Sequence, residues 1–377
     1  MTVEQCWQRV PGGSATYIVE LARALRARSG LTVAGLAAYH RGPPPEDWAP
    51  PIPVRHVPMP RTALYAAWNT LRGPRAELTA PADVVHATTW AIPPTRRPLV
   101  VTVHDLAFER APEHFTARGV AYFRRALHRA SVEADAIVVP SRATWDDCVG
   151  HGIEPARLRL VPHGVRVPPR TGEDVARFRT DHGISRPYVL WSGTSEPRKN
   201  LPTLLEAFAA IAPASDLDLV LVGPRGWGDD PVPALAPGIR ARVHRLGRLA
   251  ALDLASAYAG AAVFAFPSLW EGFGLPVLEA MAYGTPVVTS MGTSMAELVD
   301  GGGYLVPATD AGALAARILE AVDPANRPEL SASAVRAARR RTWDEAARAT
   351  ADVYAQAAGR ARGGDTGDPT SAPDVTK

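Results

Sequence analysis

Two glutamates, Glu271 and Glu279, flank a Gly-Phe-Gly turn within FPSLWEGFGLPVLEAMAYGTPVV, which runs from Phe266 to Val288. An apolar strand ends at Phe266 and a helix starts near Leu275, with Pro276 in its first turn, where a missing N–H costs nothing. Free amides and the dipole at that helix start favour a phosphate group, and Gly272 and Gly274 let the backbone approach it closely. Glu279, one turn further in, can accept hydrogen bonds from two vicinal hydroxyls. Glu271 precedes the turn, a diphosphate length away, where a sugar would sit. Either carboxylate alone also fits a solvated or dipole-complementing residue. The pair, set in apolar sequence where an unpaired charge is costly, points to a site.

A second constellation is GTSEPRKN, Gly193 to Asn200. It follows a strand and precedes a helix for which Asn200 is the expected N-cap. Arg198 and Lys199 then project from a strand's carboxyl end. A departing diphosphate develops negative charge on its bridging oxygen, and fixed cations there stabilise the transition state more than the ground state. The alternative is a solvated pair of cations. In VTVHDL, Val101 to Leu106, His104 follows an apolar strand and can bond a sugar hydroxyl or take a proton, unless it is structural. PGGS, Pro11 to Ser14, is a weaker anion-accepting turn before a helix that Ser14 is expected to cap.

The elements that must position these residues alternate strand and helix. In the first half, strands are expected at Leu31–Ala38, Asp83–Ala87, Leu99–Val103, Ala136–Val139 and Leu158–Val161, with helices after Ser14 and over Arg118–Glu133. Pro43 to Pro60 reads as a surface connection. Pro162 to Gly172 reads as an interdomain linker. In the second half, strands are expected at Tyr188–Trp191, Asp218–Val222, Val243–Leu246, Ala262–Phe266, Pro286–Thr289 and Tyr304–Val306. Helices fall at Leu201–Ile211, Leu252–Ala259, Pro276–Tyr283 and Ala311–Ala321, and a last one starts at Trp343. This alternation predicts an α/β protein with two parallel sheets and right-handed crossovers. The ligand belongs at strand carboxyl ends, in the cleft between domains. Met1 to Gln8 offers little for the buried strand that should open such a domain, so the expectation is that this strand lies upstream or is very short.

With 377 residues the chain suits two domains of roughly 150 to 200 residues. Its 46% apolar and 21% charged residues exclude wholesale disorder. A net charge of +3 gives no sign of a polyanion partner, and no motif points to nucleic acid. Cys6 and Cys148 make neither a disulfide framework nor a metal spacing, which favours a reducing, cytoplasmic compartment. The longest apolar run, Ala257 to Phe266, is about half of a bilayer crossing. Arg124, Arg125, His128 and Arg129 with Tyr122, Phe123 and Leu127 read first as a solvated helix face over a core, and in the alternative as an interfacial face at the inner membrane surface.

Together these motifs resemble the retaining glycosyltransferases of the group-1 family (glycosyltransferase family 4), whose GT-B fold sets two Rossmann-like, doubly wound parallel-sheet domains across a cleft. Glu271 and Glu279 match the family's E-x7-E signature, GTSEPRKNLPTLLEAF its phosphate-binding segment, and VTVHDL and VPHGV its first-domain histidine and its approach to the linker. The resemblance runs from Gly12 to about Tyr354. It implies an acceptor-side domain over residues 1–165, a donor-binding domain over 172–342 and a terminal helix over 343–358 that crosses back to the first domain; residues 359–377, mostly Gly, Asp, Pro, Ser and Thr, read from composition as a disordered tail. It implies that Arg198 and Lys199 contact a donor diphosphate, Glu279 the ribose, and Glu271 the transferred sugar. The amides of Gly272, Phe273, Gly274 and Leu275 would lie near sugar and phosphates, with His104 and Gly13 facing the donor from the first domain.

The implied reaction transfers a hexose from a nucleotide sugar, with GDP-mannose as first candidate, to a glycan, lipid-linked or small-molecule acceptor. Anomeric configuration would be retained without a metal or other cofactor. The first loop lacks a further glycine common in relatives, which weakens the case for Gly13. A sugar-nucleotide epimerase or a non-catalytic nucleotide-sugar binder are the competing readings. A glycan phosphorylase would need a pyridoxal-binding lysine, which nothing in the sequence marks.

Overall fold

The computed structural model describes residues 1–227 and 230–363. The strands of the first half are β1 (Gly35–Ala38), β2 (Val54–Val57), β3 (Val85–Ala87), β4 (Leu99–Thr102), β5 (Ala136–Val139) and β6 (Leu158–Leu160). β1 pairs with β2, and β3 to β6 pair in chain order, all parallel. The gap between these two sets is filled by the first residues of the chain. Thr2 bridges to Leu36 in parallel, while its amide donates to the His86 carbonyl at 2.9 Å. The Met1 amine reaches the Ala34 carbonyl at 2.8 Å. Residues 1–3 thus occupy the position of the expected first strand, in the shortest form that joins both neighbours.

The second half forms one sheet of six parallel strands: β7 (Tyr188–Ser192), β8 (Asp218–Val222), β9 (Val243–Gly247), β10 (Val263–Phe266), β11 (Val287–Ser290) and β12 (Gly303–Val306). Their spatial order is β12-β11-β10-β7-β8-β9. β7, β8, β10 and β11 are buried along their whole length, as continuous apolar runs in parallel sheets must be. Counted from its own first strand, each half has the doubly wound order 3-2-1-4-5-6, and the first continues it with β6.

Side chains alternate across the first sheet. Val101, Ile137 and Val139 face one apolar core, Val100 and Val138 another. The second of these cores also contains Trp343, Ala346, Ala347, Val353 and Ala357. These belong to the helix Trp343–Gly363, so the end of the chain completes the core at its beginning. A separate core covers both faces of the second sheet.

Several expectations are corrected. Val54–Val57 is a strand and not part of a plain connection. It is an edge strand with exposed Arg55 and His56, between prolines that hide its pattern. Leu31–Ala38 shortens to its last four residues. Helices at Arg142–Gly150, Gly172–Asp181 and Arg327–Ala338 were not anticipated. The second of these buries only Phe178 and is started by a Thr171–Asp174 capping box. Ser14 does not cap the first helix, which begins two residues earlier at Gly12. The helix Ala117–Glu133 buries Leu127 and packs Phe123 on Phe108, so its apolar side is spent on the core. The terminal helix runs past residue 358, and residues 364–377 of the expected tail lie outside the described residues. No described helix is long and apolar enough to cross a membrane.

Candidate active site

In the second sheet the strand order reverses between β7 and β10, and a crevice opens there beyond the strands' carboxyl ends. The loops that follow these two strands carry Arg198 and Lys199 on one side and Glu271 on the other. The Leu269 amide donates to the Arg198 carbonyl at 2.8 Å and fixes one loop to the other. Asn200 holds the same junction. It sits at the left-handed N-cap without capping the helix, and its amide donates to the carbonyls of Pro267 and Ala308.

Lys199 Nζ lies 2.5 Å from Glu271 Oε1, and Arg198 Nη1 lies 2.9 Å from Glu271 Oε2. The Ser268 hydroxyl lies 2.7 Å from the same Oε1. Burial alone would raise the Glu271 pKa, but the two cations and these hydrogen bonds outweigh it and hold the carboxyl at about 2. Arg198 also donates to Glu196 at 2.7 Å and to the Trp270 carbonyl at 2.8 Å. Its guanidinium is kept charged by Glu271, Glu196 and Asp105 against the cost of burial.

The turn after Glu271 needs its glycines. Gly274 has φ +100° and is the N-cap of the helix Leu275–Ala282, a conformation that side chains rarely adopt. A Cβ on Gly272 would lie 1.9 Å from the carbonyl oxygen of His104, across the cleft. That closeness is locked from the first domain: Ser141 Oγ donates to the Gly272 carbonyl at 2.6 Å, and Thr144 Oγ1 lies 3.2 Å from it. Ser294 Oγ donates to the Glu271 carbonyl at 2.7 Å from the other side.

His104 Nε2 lies 3.0 Å from the Thr88 carbonyl, so this nitrogen carries the proton. Burial lowers the pKa of the ring below its usual value, although Asp105 and that hydrogen bond oppose the shift. The neutral ring keeps Nδ1 as an acceptor. Tyr17 packs edge-on against it at 4.9 Å. Beneath lies a buried polar chain of Tyr17, Thr102, His86 and Tyr354, with successive contacts of 2.9, 2.7 and 2.6 Å. Phe273 packs across the cleft on His163, 4.9 Å between ring centres. Gly13 faces Leu275, whose Cδ1 is 3.6 Å from where a Gly13 Cβ would be.

Glu279 lies deeper along the helix, where the Tyr258 hydroxyl donates to Oε2 at 2.9 Å. Burial raises its pKa to about 7, the Tyr258 bond opposes this, and Glu20 adds to it. The structure therefore gathers Arg198, Lys199, Glu271, Gly272, Phe273, Gly274, Leu275, His104 and Gly13 around one cleft, with Glu279 a helical turn away. Sequence reasoning missed Ser268, Tyr258, Ser141, Thr144 and Ser294. Ser268 lies inside the quoted block, but no spacing rule distinguishes these hydroxyls from ordinary surface ones. Among the described residues no group of three or more His, Cys, Asp or Glu is placed to hold a metal ion.

A GT-B-like cleft with this loop chemistry agrees with what the chain resembles among known proteins. Residues 11–167 match the model for Glycosyltransferase Family 4, and residues 186–323 the model for Glycosyl transferases group 1. The chain belongs to this family. Among its relatives is a D-inositol 3-phosphate glycosyltransferase of Xylanimonas cellulosilytica, 31% identical over 93% of each chain. Another is the O-antigen chain mannosyltransferase B of Escherichia coli, 30% identical over 77% of this chain and 80% of that one. The fold is GT-B. It matches Anabaena HepE, solved with UDP and glucose, with a TM-score of 0.74 at 21% identity over 94% of this chain and 98% of that one. Sucrose-phosphate synthase from Thermosynechococcus elongatus gives 0.75 at 22% identity over 94% and 97%. The chain is thus a glycosyltransferase of group 1.

Proposed function

We propose that this glycosyltransferase moves a hexose from a nucleoside diphosphate sugar to a hydroxyl acceptor with retention at the anomeric carbon, in the cytoplasm. The observation that carries the reading is the convergence of Arg198, Lys199 and Glu271 from two loops at the switch point, beside a helix start and opposite His104. Arg198, Lys199 and the amides at Gly274 and Leu275 bind the diphosphate, taking the charge that a divalent metal would otherwise neutralise. Glu279 accepts the ribose hydroxyls. Glu271 and Nδ1 of His104 bond the transferred sugar.

In the step itself, the bond from the anomeric carbon to the phosphate oxygen breaks while the acceptor oxygen bonds to the same face. The acceptor's proton passes to the leaving phosphate. A carboxylate shared by two cations and a hydroxyl is a weak nucleophile, and this route asks none of Glu271. Closure of the cleft limits loss of the donor to water. A reducing compartment accords with Cys6 and Cys148, both buried and unpaired.

GDP-mannose is the first donor, supported by the mannosyltransferase relative. A UDP-sugar is second, since HepE was solved with UDP-glucose. The test is nucleoside diphosphate release from GDP-, UDP- and ADP-sugars beside Glu271→Ala, followed by proton NMR of the glycoside product. Release from one donor that the variant loses, with the anomer unchanged, is expected. An inverted product overturns retention; no release and no binding of any free nucleotide overturns the reading as a whole.

A further inference from the structure

We propose that an interdomain pocket beside the reaction centre receives the acceptor, and that the acceptor is a neutral saccharide, not a sugar phosphate or other anion. This rests on the transferase reading above. The pocket has a volume of about 170 Å³ and joins the centre through Arg198, which lines it and also binds Glu271. Residues 105–115 form its wall on the first domain; Glu196, Arg198, Trp227, Leu269 and Trp270 form the other.

Two features identify the occupant. The first is aromatic surface. Trp227 is 52% exposed, unusual for so large an apolar side chain. The loop after β8 that carries it lies backbone against backbone on the loop after β7 as far as Gly226. Ser195 and Arg225 form a bridge, and a Cβ on Gly226 would fall 2.2 Å from the Ser195 carbonyl oxygen. Phe115 and Leu269 add apolar surface, whereas Trp270 already has the Arg110 guanidinium 3.5 Å from its ring centre. A flat apolar wall with few polar groups suits the C–H face of a sugar ring.

The second feature is charge. The permanently charged cations among the described lining residues are Arg110 and Arg198, and both are engaged; His114 lines the pocket as well. Arg110 is held by both oxygens of Asp147, at 2.9 and 2.5 Å, and Arg198 by Glu271 and Glu196. Asp105 adds a carboxylate whose one side-chain bond among the described residues is to the Ala107 amide. With Arg198 given over to the donor diphosphate and Glu196, and Arg110 to Asp147, an anionic acceptor would meet the Asp105 carboxylate and no unpaired arginine among the described residues, an arrangement that disfavours it. Carboxylates do accept from sugar hydroxyls. The acceptor of this chain then differs in charge from an inositol phosphate.

The test measures donor turnover with p-nitrophenyl α-mannopyranoside or methyl α-glucopyranoside against mannose 6-phosphate, each expressed relative to release without acceptor. Neutral glycosides should stimulate release, with mannose 6-phosphate at least ten-fold less effective. Trp227→Ala should raise the glycoside KM at least ten-fold relative to its effect on the donor KM, and Trp227→Phe should restore most of it. Glu196→Gln should narrow the discrimination against mannose 6-phosphate. Preference for the phosphate, an unmoved acceptor KM in Trp227→Ala, or no stimulation by either glycoside while acceptor-free release continues would overturn the proposal. Loss of acceptor-free release in the unmodified chain would instead count against the transferase reading.

Discussion

The turn ahead of the helix Leu275–Ala282 and the body of that helix each hold a glutamate, and their surroundings drive the two in opposite directions. Glu271 faces Lys199, Arg198 and Ser268 and stays ionised down to a pKa of about 2. Glu279 has burial, one tyrosine hydroxyl and the negative charge of Glu20, and its pKa rises to about 7. The first is part of a charge lattice that the fold needs as much as the chemistry does. The second is held in a form whose charge the fold does not repay, which accords with the proposed role in binding.

The largest effect should come from removing a cation. On the proposed route Lys199 and Arg198 stabilise charge that grows in the transition state, so Lys199→Ala or Arg198→Ala is expected to lower kcat by about 100-fold or more. Nucleoside diphosphate release measures it, and a change confined to KM would mean that the cations bind the donor without stabilising the transition state.

Stability then separates the two carboxylates. Glu271→Gln strands the buried Lys199 and takes one of two carboxylates from Arg198, and should cost about 3–5 kcal/mol in denaturant unfolding at pH 7. The folded pKa of Glu271 lies below its unfolded value of 4.5, so its stabilisation is present above pH 4.5 and lost as pH falls towards 2. Glu279 has the opposite sign. Its folded pKa is above 4.5, so it costs stability progressively as pH rises to about 7. Glu279→Gln should therefore be more stable than the parent at pH 8 and equal to it near pH 4. A loss at pH 8 would show that Glu279 is structural.

The same glutamate predicts a pH-dependent donor KM. The carboxylate accepts two hydroxyls better than the acid, so KM should fall by up to about ten-fold per pH unit below 7 and level off above it. Glu279→Gln should weaken binding and flatten the profile. Tyr258→Phe gives the smallest shift: it removes the hydrogen bond that favours the carboxylate, and the profile should move to higher pH by less than one unit. Movement to lower pH would mean that Tyr258 does not donate to Glu279 in solution.

Much of the second domain was legible because its strands are short apolar runs buried on both faces, and its loops carry glycine, proline and charge at the boundaries. The helix Leu201–Ile211 falls on the residues read from its pattern. The first domain was harder. Val54–Val57 is an amphipathic edge between prolines, and residues 1–3 are too few to show any period. Helices such as Gly172–Asp181 were missed because they bury one side chain and leave almost no apolar stripe. Asn200 holds the expected N-cap position, but its side-chain amide goes to the carbonyls of Pro267 and Ala308 and not to the helix, while the first helix starts at Gly12, two residues before Ser14.

From the residues alone came the α/β alternation, the two glycine turns and the identity of the charged groups, since these rest on local spacing and on what each side chain can bond. Only the tertiary structure decided that Lys199 and Arg198 grasp Glu271, that the His104 carbonyl closes on Gly272, and that the last helix completes the first core. Those pairings join residues tens to hundreds of positions apart. They depend on strand order and domain closure, and a periodicity of two or 3.6 residues carries no record of either.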